Sequence, residues 1–412
     1  MPRANSLDEV IINFNPMEPL PSTSDWYVER PDNPHNRIKA YLLNDRADSK
    51  ILFHGFRGAG KSSALNKLAA EPEIQDKFFV IQFSIKDELN VADLAYTDLL
   101  VAIGHRIYEE AIKITELNPD LSKHLDTWAA EITTSTTKSK AAEAGTQGGI
   151  KTWFLNATGM LKTGFEEKRE FRLRFEPRVP QLILYINELI RAIETSHIGR
   201  EVLLIIEDLD KPTVDQAIDL FDTKGPIMVQ PACTIIFTVP SALLYSGRYN
   251  IVREMFHPEF ALPNLEVKTK AGDRKPKPWE LMRDIALRRL DHALIQDDAL
   301  NHAVEMSGGV VRELIRIIQG AATEARANSA NSIAMNQIQR TIGQLRTEYS
   351  YTLTEDEDIE ILKRVRATNE LRWKNREPLL KLLHQLFILM YSNGENWYGI
   401  NPIVEALIGS TQ

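Results

Sequence analysis

Short apolar runs separated by helical patterns predict an alternating β/α organisation in the first two thirds of the chain. The runs lie at 50–54, 77–84, 202–206, 233–240 and 260–267. Continuous apolar runs are typical of parallel strands, because helices cover both faces of such a sheet. The last run contains Pro263, which cannot donate to a sheet ladder, so this strand is predicted at an edge. The pattern predicts a three-layer α/β core.

A different pattern follows in the last third. From Trp279 onward apolar residues recur at helical spacing, which predicts a small helical domain. Nearer the end, a helix over 377–385 precedes two apolar runs separated by Asn393-Gly394, a strong hairpin signal, so a winged-helix module is expected. The predicted domains are a core over 1–267 with a helical and flexible insertion around 118–180, a helical domain over 268–350 and a winged-helix-like domain over 351–412.

The insertion contains two segments of interest. Residues 132–149 are small and polar, which predicts a flexible stretch. Trp153 and Phe154 follow, and they either pack on their own domain or form a docking element for a partner. Residues 166–178 alternate acids and arginines, a pattern typical of a solvated helix face.

Composition narrows the class of protein. The 412 residues include 43% hydrophobic and 26% charged residues, as in ordinary globular proteins. The net charge of −8 argues against a surface uniformly adapted to nucleic acid, although a local basic patch remains compatible with it. The single cysteine, Cys233, excludes a disulfide framework and a cysteine zinc site. No signal region or membrane-spanning apolar stretch occurs, which predicts a cytoplasmic protein without membrane contact.

Residues 55–62 read Gly-Phe-Arg-Gly-Ala-Gly-Lys-Ser, the P-loop pattern. Its glycines allow backbone amides to surround phosphate oxygens, its lysine reaches the β- and γ-phosphates, and its serine binds Mg²⁺. The preceding apolar strand and the following helix are the context that this motif needs. The predicted nucleotide-binding residues are Gly55, Arg57, Gly58, Ala59, Gly60, Lys61, Ser62 and Ser63.

A second motif, this one acidic, follows the strand at 202–206, where Glu207-Asp208-Leu-Asp210 resembles a Walker B motif. Ligands bind at the carboxyl ends of parallel strands, so these carboxylates are expected beside the P-loop. Ser62, Glu207 and Asp208 are the predicted Mg²⁺ residues. Glu207 is the first choice for holding the ion and Asp208 for activating water, with the assignment open between them. The short reach of an aspartate predicts slow hydrolysis, and Asp210 is expected to have a structural role.

Together these motifs resemble the AAA+ and STAND ATPases. The resemblance implies a three-layer P-loop NTPase core with a parallel sheet, followed by a helical lid and a C-terminal winged helix. One strand between the two motifs along the chain fits the P-loop branch that has an additional strand between them in space. Residue by residue, the resemblance implies a phosphate sensor at Thr238, an arginine finger at Arg248 or Arg253, a lid arginine at Arg312 and an adenine contact at Val28. The absence of an Asn-Lys-x-Asp motif favours ATP over GTP.

The main hypothesis is an ATP- and Mg²⁺-dependent switch with slow ATPase activity. By resemblance it would be an oligomeric regulatory subunit, working with a separately encoded effector protein in a system such as antiviral defence. The alternative is a DNA-binding AAA+ ATPase of the initiator or transposition-regulator class, which would use the basic stretch at 363–376. A scaffold that binds nucleotide without turnover is the third reading.

Overall fold

The structure, a computed structural model, describes residues 2–30, 34–44, 48–136, 149–163, 166–393 and 395–409. Its centre is a parallel five-stranded sheet with the order β2-β3-β4-β1-β5. β4 therefore lies between β1 and β3, and the extra strand between the two motif-bearing strands is confirmed. The strands are β1 (Lys50–Gly55), β2 (Phe78–Ser84), β3 (Glu201–Glu207), β4 (Thr234–Val239) and β5 (Glu259–Leu262).

Burial explains this sheet. Every residue of β1 and β4 is buried, as expected for strands covered on both faces. β5 ends immediately before Pro263 and lies at the sheet edge, as predicted. Helices complete the three layers, so the predicted fold class is confirmed. The helices between residues 35 and 88 are α2 (His35–Asn44), α3 (Lys61–Ala69), α4 (Pro72–Lys77) and α5 (Ile85–Glu88).

The insertion is a helical group packed on one face of the sheet. Trp153 and Phe154 are buried in the same hydrophobic cluster as residues of the sheet, so they pack on their own domain. Of the segment predicted to be flexible, the first residues continue a helix to Thr136, and 137–148 lie outside the described residues. The helices are α6 (Tyr96–Ile114), α7 (Pro119–Thr136), α8 (Gly149–Thr163), α9 (Glu166–Phe175) and α10 (Val179–Glu194).

Shorter elements surround β4. The carboxyl end of β3 leads through α11 (Val214–Ile218), a π-helical turn (Asp219–Thr223) and α12 (Gly225–Met228) into β4. A 3₁₀ turn (Ser241–Tyr245) and α13 (Tyr249–Met255) then connect β4 to β5.

The predicted helical lid is present, with one addition from the N-terminus. Its core is formed by α14 (Pro276–Leu287), α15 (Asp297–Met306), α16 (Val311–Ala327) and α17 (Met335–Ser350). α1 (Leu7–Asn13) packs against α16 and shares this hydrophobic cluster. The domain boundaries remain a prediction, but Ala4, Phe14 and the buried residues of α1 pack in the hydrophobic cluster of the lid and not in that of the sheet.

The C-terminal module contains three helices and the predicted hairpin. β6 (Ile388–Asn393) pairs antiparallel with β7 (Glu395–Ile400), and Gly394 between them lies outside the described residues. The helices are α18 (Asp356–Thr368), α19 (Arg376–His384) and the short α20 (Pro402–Glu405). α19 packs against α11 and the 3₁₀ turn after β4, so the module is docked on the core through the helix that precedes its hairpin. Among the described residues, no helix has the length and apolar character needed to cross a membrane.

Candidate nucleotide site

The P-loop joins the end of β1 to the start of α3, and two of its glycines adopt left-handed conformations. Gly58 has a φ of 82° and Gly60 a φ of 102°. Residues with a Cβ are strained in this region, which explains glycine at both positions. Gly60 is the N-cap of α3, so the unpaired amides of the first helical turn lie at the loop. A helix start of this kind favours anions.

Lys61 is held at the centre of the loop by three acceptors. Its Nζ lies 2.7 Å from the Gly55 carbonyl oxygen, 3.1 Å from that of Phe56 and 2.8 Å from Asp210 Oδ2. Lys61 and Asp210 are both buried. Burial raises the pKa of Asp210, but the Lys61 ammonium lowers it more, so the net effect is a lowered pKa. Asp210, expected to be structural at a helix start, is thus the ion-pair partner of the P-loop lysine.

Glu207 lies at the end of β3 where the predicted magnesium site should be. Its Oε1 accepts a hydrogen bond from Gln82 Nε2 at 2.7 Å, and the Ser62 side chain lies near enough to the carboxylate to lower its pKa. Burial raises the pKa of Glu207. A serine hydroxyl next to a poorly solvated carboxylate is the kind of oxygen ligand set that Mg²⁺ uses with nucleotide phosphates, so the residues fit this ion.

Asp208 has a strained backbone and several cationic neighbours. Its φ is 66°, a left-handed value that is uncommon for a residue with a side chain. Ser84 Oγ donates to Asp208 Oδ2 at 2.5 Å, and Lys86 and Lys211 lie 3.5 and 2.9 Å from its carboxylate. Burial opposes ionisation, but the bonds from Ser84 and Lys211 give a net lowering of the Asp208 pKa. The carboxylate predicted to activate water is therefore ionised and firmly held.

Thr238 lies at the tip of β4, as predicted, but its hydroxyl bonds the neighbouring strand. The Oγ1 donates to the Ile206 carbonyl oxygen at 3.1 Å and accepts from the Leu209 amide at 3.2 Å. The hydroxyl thus holds the backbone on both sides of Glu207 and Asp208, and its one proton is used in the bond to Ile206. The predicted contact with the γ-phosphate stays a prediction, and it requires this bond to break.

A cavity of about 740 Å³ lies above these groups. Its lining brings together most of the predicted site residues, which are Arg57, Gly58, Gly60, Lys61, Ser62, Ser63, Glu207, Asp208, Thr238 and Arg312. Gly55 and Ala59 do not line it; their carbonyl oxygens bond Lys61 and Arg30 instead. The N-terminal segment 12–21 forms one wall and is fixed to α3, because the Leu20 amide donates to Ser63 Oγ at 2.9 Å. The sequence carried no signal for this wall.

The lid reaches the P-loop through Arg312, and the phosphate contact that the resemblance implied for this residue stays a prediction. The Arg312 amide donates to the Gly58 carbonyl oxygen at 3.1 Å, and its Nε donates to the Pro16 carbonyl oxygen at 3.1 Å. Arg312 therefore contacts the loop and the N-terminal wall at once. Its guanidinium is placed at the cavity, where it can contact an anion.

Three other predicted residues lie away from the cavity lining. Val28 packs against the hydrophobic cluster of the lid, whereas Trp26 from the same segment lines the cavity. Arg248 is exposed, and its Nε lies 2.9 Å from the buried carboxylate of Asp222. Arg253 is exposed on α13. A finger contact from either arginine would have to be made to another subunit, and it stays a prediction.

Arg57 connects the P-loop to the C-terminal module. Its Nη2 lies 2.7 Å from His384 Nε2 and donates to the Lys211 carbonyl oxygen at 2.7 Å. Because arginine can only donate, His384 Nε2 must be the acceptor. Burial and the Arg57 charge lower the pKa of His384 to about 4, which agrees with a neutral ring. Nothing in the sequence linked His384 to the P-loop, because the contact depends on how the module docks.

Comparison with solved structures finds similar chains at low sequence identity. Cdc6p from Pyrobaculum aerophilum has a TM-score of 0.43 and 13% identity, covering 96% of this chain and 97% of that chain. The Aeropyrum pernix ORC2 protein has 0.45 and 10%, with coverages of 96% and 97%. Drosophila ORC bound to DNA has 0.43 and 12%, with coverages of 99% and 94%.

No protein-family model and no curated protein matches the chain. At TM-scores below 0.5 and these identities, the structural similarity supports no inference about activity. The sheet order with a following helical lid is nevertheless the arrangement that the AAA+ resemblance implied. The STAND and defence-system parts of that resemblance receive no support from the similar structures.

Proposed function

We propose that this chain binds ATP with Mg²⁺ at the P-loop and hydrolyses it slowly, as a nucleotide-dependent switch. One observation carries the proposal: the buried Lys61 ammonium, Ser62 and Glu207 line the same cavity of about 740 Å³. A cation, a left-handed glycine loop and a helix start all favour phosphate. In this proposal Ser62 and Glu207 hold Mg²⁺, which neutralises charge on the phosphates.

Slow turnover follows from the state of Asp208. A carboxylate with a lowered pKa accepts protons weakly, and Asp208 is also bonded to Ser84 and paired with Lys211. It can orient a water molecule beside the γ-phosphate, but it is a poor general base. Thr238 supports this arrangement by fixing the backbone on both sides of the carboxylates.

Substitution of Lys61 and Asp208 tests the proposal. Lys61→Ala is expected to lose most affinity for a fluorescent ATP analogue with Mg²⁺, because the buried cation for the phosphates is removed. Asp208→Asn is expected to keep binding and to lose turnover by about 100-fold or more. Unchanged ATP binding in Lys61→Ala would refute the nucleotide site. Equal phosphate release by the native chain and Asp208→Asn would refute hydrolysis at this site and leave a nucleotide-binding scaffold.

There are two candidates for the molecule on which the proposed switch acts. A separately encoded effector protein, with a homo-oligomer of this chain, is the first. Duplex DNA is the second, and a specific observation favours it. A cavity of about 680 Å³ between the core and the C-terminal module is lined by four cationic side chains and two aromatic ones: Arg364, Arg372, Lys374, Arg376, Trp373 and Tyr245. Cations beside aromatic rings suit phosphates and bases.

The docked position of α19 limits how DNA could be bound. α19 precedes the hairpin, but it packs on α11 and the Ser241–Tyr245 turn, and its leucines are buried. Insertion of this helix into a DNA groove would require the module to undock. The exposed residues at 371–376 are therefore the proposed contact in the docked state.

A further inference from the structure

We propose that the Asp210 carboxylate pairs with the Lys61 ammonium when no phosphate is bound, and that a bound phosphate breaks this pair. The effect of phosphate binding then reaches the C-terminal module through Arg57 and His384. The inference rests on the nucleotide site proposed above. It adds a positioning role for Asp210 and a defined route between the site and the module.

The first step concerns the donors of Lys61. An ammonium group has three N–H donors, and Lys61 Nζ has three acceptors within hydrogen-bond distance in the described structure. Two are the neutral carbonyl oxygens of Gly55 and Phe56, and the third is the Asp210 carboxylate. A phosphate that binds Lys61 must replace one of them. Of these three acceptors Asp210 is the one with a negative charge, so it competes directly with a phosphate for the Lys61 ammonium. Asp210 is therefore the acceptor that a phosphate displaces.

The second step concerns the carboxylate that is left behind. Asp210 is buried, and a buried charge without a partner is strongly destabilising. Arg57 already lies beside this residue, because its Nε donates to the Asp210 carbonyl oxygen at 3.4 Å. Lys211 is already paired with Asp208 at 2.9 Å. Arg57 is therefore the cation best placed to compensate Asp210 when Lys61 turns to a phosphate.

The third step is the connection to the module. Arg57 now bonds His384, the last residue of α19, at 2.7 Å. The adjacent residue Phe56 is buried in the hydrophobic cluster of the module, together with Ala242 and Val310. Two consecutive P-loop residues thus hold the module, one through a polar bond and one through apolar contact. Rotation of Arg57 toward Asp210 removes the polar bond and weakens docking.

Thermodynamic reciprocity gives a direct test. If ATP weakens docking, then a substitution that weakens docking must tighten ATP binding. His384→Ala is expected to bind ATP about fivefold more tightly than the native chain. Asp210→Asn is expected to bind about tenfold more tightly, because Lys61 no longer has to leave a charged partner. Since Asp210→Asn also removes the charge that recruits Arg57, adding His384→Ala to it should change affinity no further.

This double-mutant cycle is measured in the full chain by titration with a fluorescent ATP analogue and Mg²⁺. His384→Gln, which retains an acceptor, should bind like the native chain, and His197→Ala is a control at an exposed histidine. Equal effects of His384→Ala in the native and Asp210→Asn backgrounds would refute the coupling, as would no effect in either. Failure of every variant and of the native chain to bind ATP would instead refute the nucleotide site itself.

A distance measurement tests docking without any change to the network. Spin labels at Glu254→Cys and Glu370→Cys, both exposed, report the separation of core and module in a Cys233→Ser background. A non-hydrolysable ATP analogue with Mg²⁺ should broaden or lengthen the distance distribution. If the analogue binds and the distribution stays the same, transmission through Arg57 is wrong.

Discussion

At the scale of single residues, Gly58 and Gly60 share a left-handed backbone but differ in their surroundings. A Cβ built on Gly58 would clash with the side chain of Arg312, whereas one built on Gly60 meets no atom within 4 Å. Gly58 is thus required twice, by its φ of 82° and by the close approach of the lid. Gly60 is required only by its backbone and by what binds to the loop.

This difference predicts unequal costs for two alanine substitutions. In the absence of nucleotide, Gly60→Ala should cost about 1 kcal/mol of stability from backbone strain. Gly58→Ala should cost more, roughly 3 kcal/mol, because the lid must also move away from the loop. Thermal unfolding of the two variants and the native chain measures this. Similar midpoints for both variants would show that the lid is not in tight contact with the P-loop.

Most residues that the sequence predicted for the site line the cavity, but their partners were not predicted. The P-loop spacing located Lys61 and Ser62, and the acidic end of β3 located Glu207 and Asp208. The Lys61–Asp210 pair was not predictable, because it depends on the relative height of β1 and β3 in the sheet. Val28 was placed by resemblance alone, and the structure instead turns Trp26 of that segment to the cavity.

At the scale of elements, α9 illustrates how a charge pattern can mislead. Its alternating acids and arginines predicted a solvated face, but Lys168 is buried and Arg172 points inward. Arg172 bonds both carboxylate oxygens of Asp98, which is fully buried on α6, and also bonds Asp93 at 2.9 Å. The prediction was wrong for these two residues. Their partners lie at least 70 residues earlier, so no local pattern shows them.

Removal of Arg172 tests the strength of this connection. Arg172→Ala leaves Asp98 buried with Lys168, 3.7 Å away, as its remaining cation, and is expected to cost about 3 kcal/mol. Arg169→Ala on the same helix is the control, because Arg169 is exposed and has no ion pair among the described residues. It should change stability by less than about 0.5 kcal/mol. Equal thermal midpoints for the two variants would mean that the buried ion pairs contribute little to holding α9 on α6.

Strands and the hairpin were predictable, because continuous apolar runs and a turn signal are local properties. Pro263 correctly predicted the edge strand. The docking of α19 on the core and of α1 on the lid were not predictable, because both depend on contacts between distant segments. A helical pattern shows that a face is apolar, but not which surface covers it.

At the scale of the whole molecule, the P-loop is the meeting point of core, lid and C-terminal module. Arg312 brings the lid to Gly58, and Phe56 and Arg57 contact the module. The basic cavity at 371–376 lies at the same junction between core and module, away from the nucleotide cavity. A ligand there would be bound by surfaces of two domains.

Charge removal at this junction tests the DNA candidate. The double variant Arg372→Ala/Lys374→Ala should weaken binding of a short DNA duplex and reduce the slope of log affinity against log salt by about two, one for each lost phosphate contact. Lys270→Ala/Lys277→Ala removes the same charge from two exposed positions, one in the linker before the lid and one at the start of α14, and should leave both quantities unchanged. Fluorescence anisotropy over a salt series measures them. No binding by the native chain, or equal losses in both double variants, would favour the protein effector.

The N-terminal wall and α1 mean that two separate stretches of polypeptide join the lid to the sheet, one before α2 and one after β5. A domain connected to its neighbour by one stretch of chain can rotate in any direction. A domain connected by two stretches rotates mainly about the axis that joins the two connections. Any opening of the nucleotide cavity would therefore follow one preferred rotation, and twisting would be resisted by the chain itself.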